Sequence, residues 1–389
     1  MFRTLIFTTA ILGSLSVPAV HAQKPDSGAF FVRLGKDTIA LERYVRTPLL
    51  LVAEGVLRTP QTRRYKLTVT FKDDGTVSWY EVVNAPVAGV PNSAPLMRSV
   101  GTYLGDSVRI ETWVSAVSRP TRTVAARNSM LPLQLPFYST YETAIMRARN
   151  TATDTVTITM LAAGAQVPYL LQRIGRDSVT LYNPQGGTIR ARVDQEGRLL
   201  GYSGAQTTFK IDVLRANWLD VDAYEKRYAA ADAEGKAIGA LSPRDSVEFA
   251  VGKVSGMISY SRPSKRGRRI FGGIVPWGQV WRTGANAATA IEFTDPVEIN
   301  DVQIPAGKYT LWTIPDQEQW QLIINKQTGQ WGTAYDEKQD LVRIPVASES
   351  VPVPVETFTI AATPRGETGA VVTLTWDRTR VVVPIRQAR

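Results

Sequence analysis

From about Ala29 to Leu214 the chain repeats one pattern: short runs of alternating apolar and polar residues, set between turn residues. Arg64 to Phe71 places Tyr65, Leu67, Val69 and Phe71 on one face and Arg64, Lys66, Thr68 and Thr70 on the other. That period of two is the signature of a half-buried strand. Asp73-Asp74-Gly75 then predicts a hairpin turn into Val77 to Val83. The same grammar recurs at Thr188 to Val193, turned by Gln195-Glu196-Gly197 into Leu199 and onward to Phe209 through Val213. Further strands are expected at Ser107 to Val114, Thr155 to Met160, Tyr169 to Ile174 and Ser178 to Tyr182. Hairpin-linked strands at this spacing predict one curved antiparallel sheet or partial barrel. Two helices interrupt the pattern. Near Ser139 to Arg149, Ser139 is the expected N-cap, Glu142 completes a capping box, and Ala144, Ile145 and Ala148 form the apolar stripe. Over Leu219 to Ala233, Asn217 is the expected cap and Val221, Tyr224 and Tyr228 share a face.

Gly235 through Leu241 is a run of mostly small residues and reads as a linker. Beyond it the strand pattern resumes, from Val247 to Val251 through to Arg380 to Ile385, with Pro and Gly at the corners. Many short strands in so little chain predict a β-sandwich. Val351-Pro352-Val353-Pro354-Val355 is expected to be extended at a sheet edge, because proline removes ladder donors. The expected protein is all-β: an N-terminal antiparallel domain over residues 23–234 with one or two helices, a linker over 235–241 and a C-terminal sandwich over 242–389.

The first 22 residues bear on where the protein acts. Arg3, the mostly apolar run Leu5 to Leu15 and Val20-His21-Ala22 read as a signal peptide with its cleavage site. The apolar run is too short to span a bilayer, and no cysteine marks a lipoprotein cleavage site. No later stretch approaches a spanning length. An exported protein, periplasmic or secreted, with no transmembrane segment in its mature chain is expected. The chain contains no cysteine, and its one histidine, His21, lies in the predicted leader. That excludes Cys- or His-dependent triads, zinc sites of the usual kind and haem held by His or Cys. No cofactor or metal is expected, and catalysis would have to rest on carboxylates, Tyr, Lys, Arg or Ser/Thr. The formal charge of +10 is dispersed along the chain and accompanies no nucleic-acid module, so no nucleic-acid partner is expected. No Gly-rich phosphate loop leads a strand into a helix.

Gly267 to Thr289 is the densest stretch in Gly, Trp and Arg. Its pieces Gly267-Arg268-Arg269-Ile270-Phe271-Gly272 and Val280-Trp281-Arg282-Thr283-Gly284-Ala285-Asn286 follow Tyr260-Ser261-Arg262-Pro263. Pro305-Ala306-Gly307-Lys308-Tyr309, Pro315, Trp320, Asn325-Lys326, Trp331-Gly332, Tyr335-Asp336 and Asp340 continue the series. Together, from about Ser242 to Ile385, they resemble the bacterial exported family known only as domain of unknown function 2911. The resemblance implies export and a domain limit but no reaction. Ala287 departs from it: relatives often carry Glu there, an acid able to pair with Arg282. The N-terminal region has a looser resemblance, to exported half-barrel β domains of the lipid-carrier kind, which rests on its hairpins and on no motif.

The candidate site residues follow from these pieces. Arg262, Lys265, Arg266, Arg268 and Arg269 are suited to an oxyanion, since guanidinium forks bind carboxylate, sulfate or phosphate bidentately. Alternation points Arg262 and Arg268 inward. Trp277 and Trp281 offer stacking surfaces, and Arg282 with Asn286 offers a charged donor beside an amide. The competing reading makes Trp281 core, Arg282 a carbonyl cap and Asn286 the holder of a left-handed turn. Asp336, Glu337 and Asp340 are the best acidic group, a candidate acid–base pair for glycoside cleavage, against the plainer reading of a capped polar loop. The expected function is non-catalytic binding of an anionic or saccharide envelope ligand or partner by the C-terminal domain. The alternatives are a carboxylate-based enzyme acting on polysaccharide, and a lipid or acyl carrier built on the N-terminal sheet.

Overall fold

The computed structural model describes residues 25–149 and 151–388; the predicted signal peptide lies outside them. The protein is all-β, with two sheets and two α-helices. The first strand, Asp26–Leu34, lies in the middle of the N-terminal sheet, between Asp37–Arg46 and Asp212–Ala216. One arm runs by hairpins through Leu50–Leu57, Arg63–Phe71, Val77–Pro86 and Met97–Tyr103 to Ser107–Val114. The other runs through Leu199–Thr207, Gly187–Val193, Ser178–Asn183 and Ala165–Arg173 to Thr155–Ala162. Pairing is antiparallel except where Leu131–Pro132 lies beside Thr155–Ala162. Tyr65, Leu67, Val69 and Phe71 are all buried, as alternation predicts.

Helix α1 (Ser139–Arg149) occupies the inside of this sheet, and its Tyr141, Ala144, Ile145 and Ala148 join both arms in one core. The far ends of the arms approach each other: Gln166 Nε2 donates to Ala125 O at 2.9 Å and Arg122 Nη2 donates to Ala163 O at 3.3 Å. The sheet therefore curls around α1, with a cavity of about 700 Å³ left between Ala144, Arg147 and Ala148 of the helix and Met130, Leu131, Val156, Ile158 and Met160. Helix α2 (Val221–Ala233) packs outside, over Ala29, Leu41 and Val56.

Both helix starts differ from expectation. Glu142 does not reach back to close a capping box. The buried Glu42 caps α1 instead, accepting from the amides of Tyr138 at 2.6 Å and Ser139 at 2.7 Å. Glu142 is drawn away into a buried charge centre, where it accepts from Leu199 N at 2.7 Å, Arg46, Arg215 and the Tyr44 hydroxyl. Helix α2 begins after Asp220, whose carboxylate accepts from Ala223 N at 3.0 Å, rather than after Asn217.

Residues 234–243 carry neither helix nor strand. Beyond them, nine strands form one continuous path. It runs Arg244–Val251, Val254–Ser261, Thr289–Phe293, Gly307–Ile314, Gln319–Asn325, Asp340–Pro364, Gly369–Gln387, Val297–Ile299 and Val302–Ile304. Arg244–Val251 also packs against the two long strands Asp340–Pro364 and Gly369–Gln387. The layers of the expected sandwich thus belong to a single rolled sheet. Val351 to Val355 is extended, as expected, and lies beyond Ala347, the last residue paired with Gln319–Asn325, so Pro352 and Pro354 have no ladder partner on that side. They fall in a register break between Ser350 and Val355 within the longest strand, where missing amide donors cost the ladder nothing. Trp281, Trp320, Trp376, Phe271 and Phe358 interlock at the core, with Phe271 4.9 Å from Trp320 and Trp281 stacked on Trp376 at 6.0 Å. Among the described residues no helix is long and apolar enough to cross a membrane.

Candidate functional site

The two sheets meet where the turn after Asp26–Leu34 abuts the basic turn of the C-terminal unit. Lys36 N donates to Arg266 O at 3.0 Å, and Arg266 pairs with Asp37 at 2.7 Å. Gly35 has φ +60, and a Cβ there would lie 2.2 Å from Arg266 O, so the approach requires glycine. Thr59 Oγ1 adds a bond to Gly239 O at 2.9 Å. Beside this junction opens a cleft of about 510 Å³. One wall comes from Thr59, Pro60 and the turn Thr208-Phe209-Lys210. The other comes from Arg268, Ile274 to Pro276, Val280 to Arg282 and Gly284 to Asn286.

Three cations face this cleft, Lys210, Arg268 and Arg282, and no Asp or Glu lines it. Arg282 is held by its stem. Gly332 leaves the space it fills, since a Cβ at Gly332 would lie 2.0 Å from Arg282 Cδ. The Arg282 Nε is buried with no hydrogen-bond partner among the described residues. Burial alone pulls its pKa below the ordinary arginine value. Arg268 donates Nε to Lys265 O at 3.0 Å and Nη2 to Ser264 O, which fixes its guanidinium at the rim. Desolvation first, and then Arg266, lower its pKa, against the opposite pull of Glu356 and Asp37. Lys210 holds φ +52 and donates to Ala205 O at 2.9 Å. Its pKa falls through burial and then through the positive charges of Arg282 and Arg268. The cleft is an electropositive pocket with no carboxylate in its lining; Glu356 and Asp37, outside the lining, offset part of the Arg268 charge.

The remaining candidates are placed elsewhere or committed to the fold. Arg262 pairs with Asp245 at 3.1 Å and donates to Phe358 O and Thr359 Oγ1. Lys265 pairs with Asp377, Arg266 with Asp37, and Arg269 is exposed. Trp277 stacks on Phe271 at 5.8 Å, and Trp281 donates Nε1 to Gly284 O at 3.2 Å from within the aromatic core, one edge reaching the cleft. Asn286 has φ +60 and lies at the cleft mouth, its amide 3.5 Å from Ser242 O. Asp336 accepts from Lys338 N at 3.0 Å as the cap of a 3-10 turn. Asp340 accepts from Tyr335, Arg343 and Asn325 at 2.6, 2.9 and 2.8 Å. Both carboxylates are tied into their own loop.

Sequence reasoning did not single out Lys210. Nothing in its neighbourhood along the chain marks it, because its cationic partners belong to the other sheet. The sequence pattern predicts strand from Phe209 to Val213, but residues 208–211 lie between strands Leu199–Thr207 and Asp212–Ala216, which leaves Phe209 65 % exposed beside a half-buried cation.

No curated protein matches the sequence. A solved structure of a DUF1089 family protein from Pseudomonas aeruginosa is similar at a TM-score of 0.32 and 11% identity, covering 52% of this chain and 97% of that one. That likeness is too slight to bear on fold or function. The C-terminal unit is placed more firmly: residues 242–385 match the family described as protein of unknown function, DUF2911.

Proposed function

We propose that this is an exported, non-catalytic binding protein that takes an anionic ligand of the cell envelope in the cleft between its two β units. The observation that carries this reading is Arg282, a half-buried guanidinium with an orphaned Nε, facing two further cations and no carboxylate. A buried charge without a counter-charge is costly, and an anion removes that cost while gaining charge-assisted bonds. The lining offers no carboxylate for acid–base work: its ionisable side chains are Lys210, Arg268 and Arg282. The polysaccharide-enzyme alternative draws no support from Asp336 and Asp340, which are occupied by a turn amide, an arginine, a tyrosine and an asparagine. The acyl-carrier alternative meets a sheet whose interior α1 shares: a cavity of about 700 Å³ remains beside the helix, and Arg127, Arg147 and Asp106 stand among its apolar lining residues.

The test is thermal denaturation of the mature protein against a panel of small carboxylates, sulfates and phosphates, beside Arg282→Met. Methionine keeps the stem against Gly332 and deletes the charge. Stabilisation of the wild type by at least one anion, absent in the variant, is expected. Indifference of the wild type to every anion, or equal response in both proteins, would remove the reading.

A further inference from the structure

Resting on that reading, we infer that the cleft is built for a tetrahedral dianion carried on an apolar body, a phosphomonoester of an aromatic or aliphatic group, in preference to a carboxylate or a sulfate ester. Donor count is the first argument. Arg268 has committed Nε and Nη2 to carbonyls, which leaves Nη1. Lys210 has committed one of its three protons to Ala205 O. The Arg282 Nε is buried without a partner, and its Nη1 and Nη2 make no hydrogen bond to any described residue, which leaves the two Nη groups as donors. A carboxylate can accept as many donors, as Glu142 does, but only around one plane; donors arriving from three side chains on two walls suit the three free, non-coplanar oxygens of a phosphomonoester.

Charge is the second argument. Three cations line the cleft with no acid among the lining residues, and although Glu356 and Asp37 offset part of the Arg268 charge from outside the lining, a monoanion leaves one more positive charge without a partner than a dianion does. Each remaining charge sits where solvent screening is reduced, so the second negative charge is worth more here than in water.

The body of the ligand follows from what adjoins the cations. Phe209 precedes Lys210 and is 65 % exposed, and Val280 precedes Trp281 and is 36 % exposed. Ile274 and Pro276 complete an apolar strip on the same wall as Arg282. Phe209 makes no aromatic pair within the protein, unlike Phe271 or Phe358. An apolar residue left out of both cores at the mouth of a cationic cleft is a surface for the non-ionic part of a ligand.

Titration calorimetry with phenyl phosphate, phenyl sulfate, benzoate and inorganic phosphate separates the parts of this inference. Phenyl phosphate and phenyl sulfate share shape and differ by one charge. Phenyl phosphate is expected to bind at least about tenfold tighter than phenyl sulfate. Its affinity should fall as pH drops through its second ionisation near about 6, while that of phenyl sulfate stays level. Phe209→Ala should weaken phenyl phosphate several-fold and leave inorganic phosphate unchanged. Lys210→Asn, which tolerates the positive φ, should weaken both. Equal affinity for the two phenyl esters, or a benzoate that binds best, overturns the dianion while leaving an anion site standing. Loss of inorganic phosphate in Phe209→Ala overturns the apolar subsite. No heat with any of the four overturns the site itself.

Discussion

Two regions of this protein gather arginines below the surface, and they resolve the charge in opposite ways. Inside the N-terminal sheet, Arg46 and Arg215 meet the fully buried Glu142, whose one oxygen takes Tyr44 and Arg46 and whose other takes Arg215 and Leu199 N. Asp26 and Thr143 complete Arg46. In the cleft, Arg268, Arg282 and Lys210 form no ion pair with a described carboxylate and none lines the cleft, although Glu356 and Asp37 act on Arg268 from outside it. The first arrangement closes on itself and holds α1 to the sheet. The second is closed by nothing in the described protein. The residue type is the same, and the counter-charge separates architecture from recognition.

The largest way to break this contrast is to open the closed centre. Glu142→Gln leaves Arg46 and Arg215 facing each other with one acid fewer, and unpairing a buried charge costs about 3–5 kcal/mol. Urea unfolding followed by near-ultraviolet dichroism should show the loss; a change near zero would mean that the centre is not structural.

Glu42 sharpens the same side. Burial pushes its carboxyl from 4.5 up to about 8, against the bonds from Ser139 and Tyr138 that favour the charged form, with Glu142 adding to the rise. A folded-state value above the unfolded one means that the native state holds the proton more tightly. Stability from this group is complete below pH 4.5 and is lost as pH rises through about 8. Melting temperature against pH should decline across that window in the wild type and flatten in Glu42→Gln. A decline of equal slope in both assigns it to other groups.

On the open side, saturation matters more than mutation. A ligand at one hundred times its dissociation constant should stabilise the protein by about 2.7 kcal/mol. The smallest effect is the most discriminating. Arg282→Met without ligand should leave stability unchanged or raise it by about 1 kcal/mol, because a lone buried charge is replaced by an apolar side chain of similar reach.

Much of the fold was legible because a half-buried strand writes its own period. Arg63–Phe71 and its hairpin partner Val77–Pro86 follow directly from alternation and Asp73-Asp74-Gly75. Local patterns failed where a distant residue intervened. Ser139 and Glu142 have capping-box spacing, but Glu42, remote in sequence, takes the helix amides and frees Glu142 for the arginines. The basic cluster from Arg262 to Arg269 reads as uniform along the chain. The fold sorts it by supplying Asp245, Asp377 and Asp37 to Arg262, Lys265 and Arg266, and no ion pair to Arg268. Arg282 was recognisable as a site candidate from the glycines and tryptophans around it. Lys210 was not, because its role exists only once two sheets with no shared periodicity lie side by side.

The central claim is that the cleft cations await an anion, and calorimetric melting of wild type and Arg282→Met, each with and without saturating phenyl phosphate, tests it most directly. The account predicts a wild type that gains stability with ligand, and a variant that melts no lower than the ligand-free wild type and ignores the ligand. A variant that melts well below the wild type, with neither protein responding to ligand, would show that Arg282 supports the fold and that the cleft binds nothing of this kind.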